Sequence, residues 1–185
     1  MTPRLLSTPR LLTTPRLLMT LRRLSTPRLL STLGLVFLTT ACGAGASDPI
    51  SKLVEPVDVK TGWFDDGVEN GMNKLLPSVT LTLKNVSSEN VANVQLNAVI
   101  RRVGETDEWG GAFVKAIGTE GIPPGGMSKP IVLRSNLGYT GSEPRAQMLK
   151  NSQFVDAQIQ VFAKHGGNQW TKLGEWKVAR EMLNQ

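Results

Sequence analysis

The sequence predicts an all-β fold: an immunoglobulin-like antiparallel β-sandwich of about seven strands with one short helix, preceded by a cleaved signal segment. Apolar residues alternate with polar ones in several segments after residue 52, and turn-forming residues separate these segments. A short apolar run ends in Cys42, the only cysteine of the 185 residues. The chain from Cys42 to its last residue is long enough for one domain with its own core.

The second and third predicted strands show the alternation most clearly. Apolar residues recur at every second position from Val79 to Leu83 and again from Val94 to Ile100. The sequence SSEN at 87–90 between them has turn-forming composition. The two strands are therefore predicted to pair as a hairpin.

The remaining elements follow from the same patterns. Further strands are predicted at 53–64, 109–118, 129–135, 153–166 and 170–180. Pro56 in the first of these indicates an edge position or a bulge, because proline cannot donate to a ladder. The helix is predicted at 145–151, with Ser142 as its N-cap.

Large aromatic residues suggest both a core and a surface. Trp170 and Trp176 lie six residues apart, an even offset that predicts one common face of a strand. We expect them in the core with Trp109, and a stacking platform for sugar rings is the alternative. Val99 and Phe162 fall on the polar phase of their strands, which predicts an exposed apolar patch for a partner.

The sequence offers few residues for catalysis. His165 is the only histidine and ends a predicted strand, no GxSxG elbow presents a nucleophilic serine, and the only thiol is that of Cys42. We therefore predict a protein that is not an enzyme and that binds no cofactor.

The acidic segment 65–71 is the best candidate for a ligand site. Oxygen atoms of Asp65, Asp66, Glu69 and Asn70 are of the type that binds calcium, but their spacing is not that of an EF-hand. The alternative, which we favour, is a solvated connection between the first two strands.

The run from Leu33 to Cys42 has the features of an export signal. Arginines precede it, no acidic residue occurs before Asp48, and small or hydroxyl residues lie just before the cysteine. The uncharged stretch from Leu29 to Ala41 would form a helix of about 20 Å, short for a permanent span of a bilayer core near 30 Å. An ordinary cleaved secretory signal is the alternative.

This run resembles the lipobox signal peptides of bacterial lipoproteins. The resemblance implies cleavage between Ala41 and Cys42, acylation of the Cys42 sulfur, as by palmitate, and acylation of the new amino group. It also implies a location in the cell envelope. With Gly43 after the cysteine, this is the outer membrane facing the periplasm in an organism with two membranes, and otherwise the exterior of the cell membrane.

The chain thus divides into three parts. Residues 1–41 form the signal, 42–52 a lipidated flexible linker, and 53–185 the immunoglobulin-like domain. Hexapeptides of the TPRLLS type repeat through residues 2–31, and proline in most of them opposes a regular helix. Met19 is an alternative start that would leave a signal of ordinary length.

Charge is distributed unequally along the chain. The overall formal charge is +6, but six arginines and no acidic residues precede Cys42. The part from Cys42 onward has 15 basic and 15 acidic side chains, so its net charge is zero. A neutral domain argues against nucleic-acid binding, which needs a basic surface.

A second resemblance concerns the residues 79–105, VTLTLKNVSSENVANVQLNAVIRRVGE. Their pattern of strand, KN-S and strand is similar to the immunoglobulin-like FxLYD modules found on bacterial lipoproteins. The FxLYD motif itself is absent, and NAVIRRVGE stands near its place. The resemblance implies a fold and no activity.

These observations favour a membrane-anchored lipoprotein whose β-sandwich binds an envelope protein or a cell-wall partner. A small-ligand or calcium-binding envelope module is the first alternative, and an ordinary secreted protein of unknown activity is the second.

Overall fold

A computed structural model describes residues 48–183. The predictions for the signal, for Ala41 and for Cys42 fall on residues outside this range. Eight strands and two short helices follow one another as α1 (Ile50–Leu53), β1 (Val54–Glu69), β2 (Met72–Asn85), β3 (Val94–Arg102), β4 (Gly110–Ile117), β5 (Ile131–Arg134), β6 (Tyr139–Gly141), α2 (Arg145–Lys150), β7 (Ala157–His165) and β8 (Thr171–Lys177). The predicted all-β class is confirmed.

The strands form two antiparallel sheets that pack face to face. One sheet has the order β1-β2-β5, with β6 also paired to β2, and the other has the order β4-β3-β7-β8. This is an immunoglobulin-like arrangement in which β4 lies beside β3, on the sheet that also contains the last two strands. Strand β6 and helix α1 are additions to the predicted elements.

The predicted hairpin between the second and third strands is wrong. Strand β2 belongs to one sheet and β3 to the other, so residues 86–93 cross between the sheets. Val91 in this crossing is buried and pairs with Ile122 of the β4–β5 connection. Local turn composition could not distinguish a hairpin from a crossing, because both need the same residue types.

The inner faces of the sheets form one apolar core. In β3 and β7 every second residue is buried, from Val94 to Ile100 and from Ala157 to Ala163. Trp63 of β1 is fully buried, and its ring lies 4.7 Å from that of Phe154. Ile50 of α1 is also buried, so the folded part begins within the segment predicted to be a flexible linker.

The open edges of the sandwich are joined by short main-chain contacts. Gly111 of β4 accepts a hydrogen bond from the backbone N–H of Asn136, just after β5, at 3.1 Å. On the other side, residues 181–183 run beside β1, and Trp63 binds the main chain of Glu181 and Leu183 at 2.8 and 2.9 Å. Residues 178–183 therefore cross from the sheet of β8 to that of β1.

Helix α2 has a different N-terminus from the predicted one. Pro144 precedes the helix, and no side-chain hydrogen bond caps it, so Ser142 is not the N-cap. The helix buries Met148 and Leu149. Arg180 then fixes the segment after it, donating to the main-chain oxygen of Phe154 at 2.8 Å and to the Asp156 carboxylate at 2.6 Å.

A single buried amide organises the crossing between the sheets. The Nδ2 atom of Asn85 donates to the main-chain oxygens of Glu89 and Ile122, at 2.7 and 2.8 Å. Its Oδ1 atom accepts from the N–H and the hydroxyl of Ser87, at 2.9 and 2.7 Å. Asn85 has no solvent exposure, so no water replaces these partners.

We therefore expect Asn85→Ala to destabilise the domain by about 2–3 kcal/mol, because it removes the four hydrogen bonds of a fully buried amide and leaves the Ile122 oxygen with the Val91 N–H as its remaining donor. This corresponds to a fall in Tm of roughly 5–10 °C, measurable by thermal unfolding. Asn90→Ala is the matched control in the same crossing: its amide makes one exposed bond of 3.4 Å, and we expect less than about 0.5 kcal/mol. Equal effects of the two substitutions would contradict the role given to Asn85.

Candidate functional site

The outward side of the β4-β3-β7-β8 sheet is the most distinctive surface of the described domain. We call this surface the aromatic face. Its outward residues are Gly111, Phe113 and Lys115 of β4, Gln95, Asn97, Val99 and Arg101 of β3, Gln158, Gln160, Phe162 and Lys164 of β7, and Lys172, Glu175 and Lys177 of β8, with Trp170 just before β8.

Strand pairing brings the aromatic residues together. Asn97 is the pairing partner of Phe113 on one side and of Phe162 on the other, and Phe162 pairs in turn with Lys172. These four residues form a row across the sheet. Val99 lies on the adjacent row, opposite Gln160 and diagonal to Phe162.

The predicted patch residues and two further aromatic side chains share this surface. Val99 and Phe162 are half-buried, whereas Phe113 is 61% exposed and Trp170 is 42% exposed. The prediction omitted Phe113. Alternation along β4 could have placed Phe113 on this surface. Ala112, Val114 and Ala116 lie on one side of the strand, where they pack against the core, so Phe113 and Lys115 lie on the other side.

Trp170 is not a core residue, contrary to the prediction. The register of β7 and β8 shifts between Val161 and Phe162, where β8 carries an extra residue. An inserted residue reverses the phase of a strand, so Trp170 and Trp176 lie on opposite faces despite their even spacing. Trp176 packs against the core, and the ring of Trp170 lies 6.1 Å from that of Phe113.

The aromatic face carries an excess of positive charge. Five of its residues are basic (Arg101, Lys115, Lys164, Lys172 and Lys177), and one, Glu175, is acidic. Lys172 binds Glu175, Lys177 binds Asp156 at 2.9 Å, and Arg101 donates to Gln160 at 2.6 Å. Lys115 and Lys164 have no such partner among residues 48–183.

Shallow depressions flank Phe113. One, of about 470 Å³, is lined by residues that include Asn97, Trp109 and Asn136. Another, of about 460 Å³, extends from Phe113 towards Val132 and Arg134 of β5. Phe113 forms part of the wall of both, so the face is uneven at its β4 edge.

The acidic segment forms part of a hairpin. Strand β1 continues to Glu69, and the connection to β2 is only Asn70 and Gly71, with φ angles of 52° and 77°. Positive φ at both positions is typical of a type I′ turn, for which Asn-Gly is the preferred sequence. The predicted connection over residues 65–71 is therefore too long.

The carboxylates of this segment bind cationic side chains. Asp65 forms an ion pair of 2.5 Å with Arg145 of α2. Lys74 of β2 lies 3.4 Å from Asp66 and 3.0 Å from Glu69. Within residues 48–183 no group of three or more histidine, cysteine or acidic side chains is placed to hold a metal ion.

The ion pairs also shift the acidities of the groups involved. Desolvation by itself would raise the pKa of Asp65, but Arg145 and the N–H of Gly67 together hold the pKa below its usual value. Hydrogen bonds that the Lys74 ammonium donates to the carboxylates of Glu69 and Asp66 raise the pKa of Lys74. The negative charge of Asp65 is thus paired with the neighbouring Arg145 guanidinium.

His165 lies at the opposite end of the domain from this hairpin. It lines a depression of about 580 Å³ together with residues that include Asp48, Ser87 and Glu89. Among the residues that the structure describes, its imidazole forms no hydrogen bond with a serine or a carboxylate. The hydrogen-bonded nucleophile and base of a catalytic triad are therefore not found within that range.

The calcium hypothesis stays a prediction that a melting experiment can test. Because Asp65 is paired with Arg145, and Asp66 and Glu69 share Lys74, calcium would have to displace these cations, and we expect millimolar calcium to leave the Tm unchanged. Arg145→Ala frees the Asp65 carboxylate and serves as a comparison. A rise in Tm with calcium in the unaltered protein would support a metal site in this hairpin.

No helix among residues 48–183 is long and apolar enough to cross a membrane. A scan against protein-family models and a search of curated proteins found no match to this chain. A functional proposal therefore depends on the aromatic face and on the sequence before residue 48.

Proposed function

We propose that this protein is a lipoprotein anchored by acyl chains on Cys42, and that its β-sandwich is a non-catalytic module that binds an envelope protein or a cell-wall partner through the aromatic face. The exposure of Phe113 and Trp170 beside Phe162 is the observation that carries the binding part of this proposal. Exposed aromatic clusters of this kind are enriched at recognition surfaces.

The architecture gives this surface a rigid support. Asn97 and Phe162 lie on β3 and β7, the two central strands of their sheet, and the opposite side of both strands is buried in the core. A binding surface on central strands loses little conformational freedom when a partner binds. The sandwich therefore provides a preorganised surface and does not need to refold.

The anchor proposal rests on the sequence. An apolar run, small residues and one cysteine follow each other directly, and the described domain begins six residues after Cys42. Several acyl chains would make the attachment effectively permanent, whereas one is marginal.

The anchor is tested by lipid labelling. When the full chain is produced in a bacterium supplied with a labelled fatty acid, we expect the label on the mature protein and none on Cys42→Ser. The unaltered protein should enter the detergent phase on phase separation. Mass spectrometry should find Cys42 at the mature N-terminus, and a mature chain that begins upstream of Cys42 would refute the anchor.

The binding surface is tested by a charge substitution at its centre. We expect Phe162→Glu to reduce recovery of a specific partner from envelope extracts or isolated cell walls at least about tenfold, because it removes apolar contact and desolvates a charge. Val68→Glu introduces the same charge at an exposed position of β1, on the other sheet and outside the depressions beside Phe113, and is the matched control. If both variants retain their Tm and recover the partner equally, the aromatic face is not the binding surface.

A further inference from the structure

Polar amide groups lie among the aromatic rings of this face. Asn97 projects outward between Phe113 and Phe162, and Gln95 projects outward on the next row, between Lys115 and Lys164. Within residues 48–183 neither amide takes part in a hydrogen bond with another side chain or with the main chain. Each therefore presents a donor and an acceptor to a ligand that lies on the sheet.

The unpaired cations lie next to these amides. Lys115 and Lys164 are both pairing partners of Gln95, so two strand spacings, roughly 10 Å, separate them. Trp170 lies beside Lys164, whose Nζ atom is 6.0 Å from the centre of the indole ring. The other basic residues of the face bind protein groups already. Positive charge available to a ligand is thus concentrated on the row of Gln95.

We propose that the aromatic face binds a chain of acidic sugars, such as a uronic-acid-containing polysaccharide of the cell surface. The inference rests on the proposed function and names the chemistry of its partner. Lys115 and Lys164 bind carboxylates of the chain, Gln95 and Asn97 bind its hydroxyls, and the Trp170 ring packs against the apolar side of a sugar ring.

The amides favour this ligand over a lipid surface. Phe162 is half-buried on a central strand between Asn97 and Lys172, so it cannot enter a bilayer unless these polar neighbours are also desolvated. A bilayer offers the amides few partners, whereas the hydroxyls of a sugar chain satisfy them.

The ring geometry adds a further restriction. The planes of Phe113 and Trp170 are 75° apart, so one flat ligand cannot stack on both rings. Stacking is limited to one aromatic side chain, and the polar groups between the rings must supply most of the recognition. This arrangement favours a ligand with regularly spaced hydroxyl and carboxylate groups.

The test uses the chain from residue 42 with Cys42→Ser, so that binding does not depend on the lipid. All described core residues lie between Ile50 and Val178, so this chain retains the whole core. The probe is sodium polygalacturonate in calcium-free buffer. Its fully methyl-esterified form has the same sugar backbone without the charge and is the matched ligand control.

We expect measurable binding of polygalacturonate by titration calorimetry, weakened at least about tenfold by methyl esterification and by the double substitution Lys115→Ala/Lys164→Ala. Trp170→Ala should weaken binding of both forms, which a purely electrostatic contact would not show. Lys60→Ala/Lys84→Ala removes the same charge from the sheet of β1 and β2, and we expect a change of less than about twofold.

Absence of polygalacturonate binding would overturn the inference, as would an equal loss in the Lys60/Lys84 control. Binding to anionic phosphatidylglycerol vesicles in place of polygalacturonate would assign the face to lipid and would also overturn it. These outcomes differ from a failure of the proposed function, which would appear as an unlabelled Cys42 or as equal partner recovery by Phe162→Glu and Val68→Glu.

Discussion

The apolar contact between the two sheets is the constraint on which the rest of the structure depends. Cys42 is the only cysteine, so no disulfide within the chain joins the sheets, and burial of their inner faces must hold them together. Because side chains alternate along a strand, fixing one phase of β3 and β7 in the core also fixes the other phase on the surface. The aromatic face is therefore as firmly positioned as the core beneath it.

This constraint explains how much could be predicted from the sequence. Alternation is local, so the strands, the all-β class and the outward positions of Val99 and Phe162 were accessible from residue order alone. The choice of sheet for each strand was not, because the burial of Val91 and the bonds of Asn85 join residues far apart in sequence. No local sequence pattern indicates the bulge that exposes Trp170. The Asn70-Gly71 pair, in contrast, is a preferred turn sequence and indicates the first hairpin.

Asn85 gives a physical reason for the KN-S pattern that carries the resemblance to FxLYD modules. A chain that leaves one sheet and enters the other passes through a region without a neighbouring strand. Its main-chain N–H and C=O groups there need other hydrogen-bond partners. The Asn85 side chain supplies both donors and an acceptor there, and Ser87 completes the set. Any β-sandwich with a short crossing at this point needs such hydrogen-bond partners. The KN-S pattern is therefore explained by the structure of the crossing and does not indicate a ligand.

Net charge is a poor guide to the chemistry of such a domain. The part from Cys42 onward is formally neutral, yet the aromatic face has five basic residues and one acidic residue. Acidic residues elsewhere balance this surface: Asp66 and Glu69 at the β1–β2 hairpin bind Lys74 on the opposite sheet. At physiological ionic strength charges more than about 8 Å apart are largely screened, so a ligand on the aromatic face experiences Lys115 and Lys164 and little of the distant hairpin. The formal charge of the whole domain therefore does not describe this surface, and the proposed ligand, an acidic chain lying flat on the aromatic face, contacts the local excess of positive charge.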